Sequence, residues 1–212
     1  TEVFGALGAY DVAGGIDIDV PFVCGFDPAF TTLGATRCTL TTTDGTASWV
    51  SVPVSNAASS LAVVNVAFDR ALECDADVEL ANVHAAGGLV VDAPLTMIGG
   101  VIENGLVVRV GATGTRLLHT SIAGGAELEA DTLMDGVVAD GLGAFIVDAG
   151  VVLTAINSAL AAEDEPAPVI TCDGCRALRI EGSNLVSSTT HVIDVNVGTP
   201  RPELFLGGDV VD

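Results

Sequence analysis

The chain contains no lysine. All seven basic residues are arginines, against 28 aspartates and glutamates, so the 212 residues carry a formal net charge of −21. A surface this acidic repels nucleic-acid phosphates and anionic lipid headgroups, so neither is an expected partner. The charge suits a high-salt habitat, bound cations or a basic partner, and a GC-rich genome is an alternative explanation for the missing lysine.

Aromatic residues are scarce, at 4%, although half of the chain is hydrophobic. The core must therefore be built from Val, Leu, Ile and Ala in many thin layers, and the 25 glycines indicate many tight corners. No apolar run approaches the roughly 18 residues of a membrane-spanning helix, so we expect no membrane insertion.

Catalytic motifs are missing too. His84, His119 and His191 lie far apart in the sequence, so their spacing assembles no Ser/His/Asp set. Carboxylates are clustered at 73–77 and 163–165 and at Asp17 and Asp19, but no known catalytic motif accompanies them. The sequence therefore predicts no catalytic residue.

The main pattern in the sequence is a loose internal repeat. Short aliphatic runs, separated by Gly, Asn or Asp, recur about every 16 to 26 residues, which is too close for crossover helices. Such a pattern predicts an all-β parallel β-helix of about six coils, in which each short strand pairs with its equivalent one turn above. The residues that open equivalent runs are Leu80, Met97, Leu117, Leu133, Leu153, Leu178 and Leu204.

The repeat predicts which side chains form the core. The Leu and Met positions above should form one inward stack along the axis, with side chains about 4.8 Å apart. Asn82, Asn157 and Asn184 should lie near corners, where Asn tolerates unusual backbone angles. A second stack in another sheet should contain Val90, Val107, Leu128, Ile146, Ile170 and Ile193.

Residues 1–60 differ from the repeats at 61–212. Alternating polar and apolar residues, as in SWVSVPVS, suggest antiparallel strands and hairpins. We therefore predict an N-terminal β-rich cap or attachment module at 1–60, because a solenoid needs its open end covered.

Five cysteines favour an oxidising, extracellular environment. The expected disulfides join Cys24 to Cys38 and Cys172 to Cys175, the latter pair across a tight Asp-Gly turn. Cys74 is then left over. Zinc is not expected, because the CDGC segment has neither a second CxxC nor a nearby pair of histidines. Five buried thiols that act as small hydrophobes are the alternative.

Calcium is the one cofactor that the sequence suggests. Asp135 and Asp140 lie in the turn-rich segment MDGVVADG and could supply oxygen ligands. Ordinary turn aspartates are the alternative explanation for both.

The repeat resembles the right-handed parallel β-helix superfamily, which includes pectate lyases, polygalacturonases, phage tailspikes and surface adhesins. The polygalacturonase resemblance implies four sequence motifs, none of which is present, and Glu181 stands where the last of them requires a cation. Asp173 beside Arg176 and Arg179 could imitate the calcium-binding acid and catalytic Arg of pectate lyases; a solvated ion pair is the alternative.

We therefore predict a non-enzymatic structural or interaction protein outside the cytoplasm, as a virion component (spike, fibre or capsid decoration) or a cell-surface adhesin. Its partners should be other protein subunits, through self-association or assembly neighbours, or a glycan. The alternatives are a polysaccharide lyase or glycoside hydrolase that acts on an outer face, and a carbohydrate-binding β-helix without turnover.

Overall fold

A computed structural model describes residues 2–12, 17–42, 49–51, 61–140, 145–162, 167–188, 191–196, 201–208 and 210–211. The described residues form strands, turns and bends, with no helix among them. None of them therefore belongs to a helix of the length and hydropathy that crossing a bilayer requires. In chain order the strands are β1 (Val3–Ala6), β2 (Ala9–Val12), β3 (Asp17–Ile18), β4 (Phe22–Phe26), β5 (Cys38–Thr42), β6 (Trp49–Ser51), β7 (Leu61–Val64), β8 (Val66–Phe68), β9 (Leu72–Cys74), β10 (Val78–Ala85), β11 (Leu89–Val91), β12 (Leu95–Ile102), β13 (Leu106–Val108), β14 (Thr115–Leu118), β15 (Ser121–Ile122), β16 (Ala126–Leu128), β17 (Thr132–Asp135), β18 (Val138–Ala139), β19 (Phe145–Val147), β20 (Val152–Ile156), β21 (Ala159–Ala162), β22 (Ile170–Asp173), β23 (Ala177–Glu181), β24 (Asn184–Ser187), β25 (Ile193–Asn196), β26 (Glu203–Gly207) and β27 (Val210–Val211).

Equivalent strands of successive turns pair in parallel and build three columns, which we call faces 1, 2 and 3. Face 1 contains β1, β4, β7, β14, β17, β20, β23 and β26, and face 2 contains β2, β5, β8, β15, β18, β21, β24 and β27. Strands β10 and β12 run from face 1 into face 2, whereas face 3 is a separate nine-stranded sheet. This is an all-β, solenoid-like stack of parallel strands, compatible with the predicted parallel β-helix.

The parallel stack extends into the N-terminal residues. Counting one strand or half-strand per face as a coil, the described strands from residue 61 onward make seven coils and part of an eighth, and two more precede them. The sequence predicted about six coils for residues 61–212. At the N-terminus, β1, β2 and β3 pair in parallel with β4, β5 and β6. The antiparallel hairpins expected there are therefore wrong for the described strands.

The first coils continue directly into the later ones. Strands β4, β5 and β6 pair in parallel with β7, β8 and β9, across the boundary placed at residue 60. The division into a cap at 1–60 and a β-helix at 61–212 stays a prediction, as does the right-handed winding.

Face 1 sends alternate side chains into the core because successive residues of a strand point to opposite sides. Buried hydroxyls are satisfied locally: Thr115 and Thr132 donate to the carbonyl oxygens of Ala112 and Ala130 at 2.8 and 2.9 Å. One inward column contains Leu61, Val78, Leu95, Thr115, Thr132, Leu153 and Leu178, and the next contains Val63, Leu80, Met97, Leu117, Met134, Ala155 and Ile180.

The predicted Leu/Met stack is correct in part. Leu80, Met97 and Leu117 lie directly above one another, but the next member is Met134, and Leu133 faces outward. The predicted alignment is therefore wrong by one residue at Leu133, and because successive side chains point to opposite sides of a strand, Leu133 points outward instead of inward. Leu153, Leu178 and Leu204 align with one another in the neighbouring column, two residues away, where Leu153 and Leu178 are buried and Leu204, on the last strand of face 1 that the structure describes, is 49% exposed.

The predicted stack of face 3 is also correct only in part. Leu128, Ile170 and Ile193 point inward, as predicted, although Leu128 lies in a different inward column from the other two. Val90, Val107 and Ile146 face outward instead, in register with Glu127 and Thr171. Their neighbours Leu89, Leu106 and Phe145 fill the core.

A column of left-handed residues forms the corner between faces 1 and 2. Asn82 and Asn157 lie there at φ 52° and 50°, as predicted, whereas Asn184 begins strand β24 and Gly182 (φ 59°) takes the corner of that coil. At Gly136 (φ 65°) an added Cβ would collide with the imidazole of His119, the residue in the same corner one coil earlier. Glycine at this position thus provides both the backbone angle and the space.

Two disulfide bonds fix parts of the stack. Cys24 on β4 is bonded to Cys38 on β5, with a Cα–Cα distance of 5.7 Å, and closes the base of the segment between those strands. Cys172 on β22 is bonded to Cys175, with a Cα–Cα distance of 5.3 Å, across the corner from face 3 to face 1. These are the pairs that the spacing favoured, and Cys74 is buried and belongs to neither disulfide.

Candidate binding groove on face 1

The outward side of face 1 carries a groove of about 580 Å³ that crosses several coils near the C-terminal end of the stack. Its central column runs through Arg116, Leu133, Thr154 and Arg179, one residue from each of four consecutive strands. Each lies between two inward residues of its strand, so the buried columns fix the direction of all four. We call this feature the face 1 groove.

An ion pair forms one side of the face 1 groove. Arg176 Nη2 donates to Asp131 Oδ2 at 2.8 Å, and Asp131 Oδ1 accepts from the backbone N–H of Val152 at 2.8 Å. The Arg176 side chain is 62% exposed and that of Asp131 40%, so water screens the pair. Because both oxygens of Asp131 are engaged, its carboxylate holds Arg176 at the rim.

A second hollow of about 400 Å³ extends the groove towards β26 and shares Thr154 and Arg179 with it. The guanidinium of Arg179 lies over the ring of Phe205, 5.7 Å from its centroid, which is within the range of cation–π attraction. Phe205 is itself 55% exposed. The groove therefore combines a cation with an apolar ring at this end.

The electrostatics of the face 1 groove oppose those of the whole chain. Arg116, Arg176 and Arg179 line it, together with the carboxylates of Asp131 and Glu203, so these five side chains sum to a formal charge of +1, and the adjoining hollow adds the carboxylate of Glu181. Three of the seven arginines thus lie in one groove of a chain whose net charge is −21. The arginines therefore attract negatively charged groups locally, although the rest of the chain repels them.

An acidic surface lies at the corner between faces 3 and 1. Burial, with the charges of Asp92 and Glu73, raises the pKa of Asp75 above its usual value. Burial also raises the pKa of Asp148, with contributions from Glu129 and Asp173. Asp173 thus belongs to this acidic corner, and Arg176 pairs with Asp131 instead.

The residues predicted to bind calcium lie on different faces. Asp135 ends β17 on face 1, where Oδ1 accepts a long hydrogen bond of 3.4 Å from Asn157 Nδ2. Asp140 follows β18 on face 2 and is exposed. Among the described residues, no three His, Cys, Asp or Glu side chains are grouped as a metal would require. A calcium site at these two aspartates stays a prediction.

The histidines lie outside the face 1 groove. His84 Nε2 on face 2 is 3.0 Å from Glu103 Oε1, His119 lies at the corner between faces 1 and 2, and His191 lies between β24 and β25. The acidic cluster at 163–165 lies outside the described residues.

Sequence reasoning missed the face 1 groove because its parts come from separate repeats. Aligning Leu117 with Leu178 places Arg116 before the aligned position and Arg179 after it. The structure aligns Leu117 with Met134, Ala155 and Ile180, which brings both arginines into one column. The rarity of basic residues was the signal that could have drawn attention to them.

The chain matches no protein-family model, no curated protein and no solved structure.

Proposed function

We propose that the protein is a non-enzymatic interaction protein that works outside the cytoplasm, as an exposed virion component or a cell-surface adhesin, and that it recognises a glycan through the face 1 groove. The observation that carries this proposal is the concentration of arginines in one groove of an otherwise strongly acidic chain. The two disulfides favour an oxidising compartment.

The fold-level part of the proposal is a right-handed parallel β-helix, similar to pectate lyases, tailspikes and adhesins. Three columns of parallel strands around a continuous apolar core support it. Such a stack holds outward side chains on rigid strands, which suits recognition because little conformational freedom is lost when a partner binds.

A binding experiment with matched variants tests the function. The labelled protein is applied to immobilised glycans and to intact cells, beside the double variant R116A/R179A and the control R109A. Arg109 suits the control because it does not line the groove, its side chain is 56% exposed and it pairs with Asp92 at the acidic corner. We expect retention of wild type and R109A on at least one surface and loss of the double variant. Failure of wild type to bind any surface would refute the proposal.

A polysaccharide lyase or hydrolase is the second candidate, because the groove brings the carboxylates of Asp131 and Glu203 to the same surface as Arg176. Glycoside hydrolysis uses two carboxylates about 5 to 9.5 Å apart, whereas the strand register separates Asp131 and Glu203 by three coils, about 14 Å along the axis, so this candidate is the weaker one. Incubation with the retained glycan separates the two functions. New reducing ends, or the ultraviolet absorbance of an unsaturated product, would establish turnover, whereas an unchanged glycan supports binding alone.

A further inference from the structure

Two arginines in the face 1 groove are available to a ligand. Arg116 and Arg179 share one outward column and are three coils apart, about 14 Å along the axis at the usual strand spacing. Leu133 and Thr154 lie between them as the floor. In the part of the chain that the structure describes, neither arginine has a carboxylate partner, whereas Arg176 has Asp131.

The chemistry of these side chains selects an oxyanion. A guanidinium stays charged at every accessible pH and offers two parallel N–H donors that match a carboxylate or sulfate. Two such groups in line, with a narrow floor between them, fit a linear molecule that carries negative groups about 14 Å apart. The exposed ring of Phe205 beside Arg179 can pack against an apolar patch of the same ligand.

The sheet geometry favours a saccharide over a peptide. A molecule that joins Arg116 to Arg179 crosses the strands of face 1, whose backbone N–H and C=O groups are paired with the neighbouring coils. An extended peptide gains affinity on a sheet by pairing with an open edge, and the strands β14, β17, β20 and β23 that carry the column are each paired on both sides. A saccharide carries its polar groups on its own rings and needs no such edge.

We infer that the face 1 groove binds a linear saccharide along the axis of the stack, with one carboxylate or sulfate at Arg116 and a second at Arg179. This inference rests on the proposed function and adds the ligand class. It also predicts an unusual effect of salt. At about 0.01 M salt the Debye length is about 30 Å, so the acidic body repels the ligand, whereas at about 0.15 M it is about 8 Å and the guanidinium contacts persist.

Three tetrasaccharides of matched length test the inference: a neutral one, a uronic acid one and a sulfated one. Their affinities for wild type, R116A, R179A and R109A are measured by calorimetry at about 0.01 and 0.15 M salt. We expect binding of at least one acidic probe, with the neutral probe at least about tenfold weaker. Each groove substitution should weaken the acidic probe by about tenfold or more, and R109A should not. The two acidic probes distinguish carboxylate from sulfate.

The salt series gives an independent criterion. We expect the affinity of the acidic probe for wild type to rise by about tenfold between the two salt concentrations. An affinity that falls over this range would overturn the role assigned to the acidic body. Equal binding of the neutral and acidic probes, or full affinity in R116A and R179A, would overturn the ligand class.

The result also separates the inference from the proposed function. If the acidic probes fail while wild type is still retained on a neutral glycan surface, the function stands and the ligand class is wrong. If wild type binds no surface and no probe, both are wrong. Unchanged melting temperatures would show that the variants are folded, as expected for substitutions of exposed side chains.

Discussion

Replacing Met134 by alanine should destabilise the protein strongly, whereas the same change at the adjacent Leu133 should have a small effect. Met134 is fully buried, directly above Leu117 and below Ala155 in the inward column of face 1. Leu133 points outward into the face 1 groove and is half-buried. The pair therefore compares an inward and an outward position on one strand.

The magnitude follows from burial. A buried Met-to-Ala change costs about 2–5 kcal/mol, and the small side chain of Ala155 one coil above cannot fill the space, so we expect about 3 kcal/mol for M134A. Leu133 removes less apolar surface from water, so L133A should cost about 1 kcal/mol or less. With a urea m-value of about 2 kcal/mol/M, M134A should lower the unfolding midpoint by about 1.5 M.

Urea unfolding followed by circular dichroism measures both variants against wild type. The midpoint of L133A should lie within about 0.5 M of wild type. If L133A loses as much stability as M134A, or more, then Leu133 is the inward residue. The register of β17, and with it the column that joins Arg116 to Arg179, would then be wrong.

The remaining predictions concern charge, the corner column and association. Folding raises the pKa of Asp148, so the folded state binds the proton more tightly and the stability of wild type falls as pH rises through that pKa. D148N should therefore be more stable than wild type at neutral pH, by less than about 1 kcal/mol, and the difference should vanish well below pH 3.8, where Asp148 is protonated in both states. Urea unfolding midpoints measured at several pH values would show this. G136A should cost more stability than G150A, because both glycines have positive φ but only Gly136 is crowded by His119; equal melting temperatures would contradict this reasoning. Gel filtration with light scattering should show association increasing with salt, because salt screens repulsion between copies of charge −21; a monomer at every salt concentration would remove self-association from the proposal.

The class of fold could be predicted because the physical reasons for it are local. Short aliphatic runs at intervals too small for helices leave stacked strands as the way to bury apolar side chains, and residues such as Asn82 and Asn157 mark the corners. The first coils were less evident, because alternation in residues 1–60 is equally typical of hairpins. Strand pairing in these residues depends on contacts between residues far apart in the sequence, as in the parallel pairing of β1 with β4.

The candidate site was less predictable than the fold. Its parts lie on different coils, and a register error of one or two residues is enough to separate them. Leu133 and Met134 are both apolar, so composition alone could not decide which of them faces inward. The arginines could be placed in one groove only after the strands were aligned by their hydrogen bonds.

Composition by itself determined the acidic surface, the aliphatic core and the repeated short strands, because charge, side-chain volume and run length are properties of residues taken singly or in short runs. Tertiary structure alone decided the register of each strand, the parallel pairing of the first strands and the alignment of Arg116 with Arg179 in one column. The physical reason is that side chains alternate along a strand, so a shift of one residue exchanges core for surface while leaving the pattern of apolar runs almost unchanged.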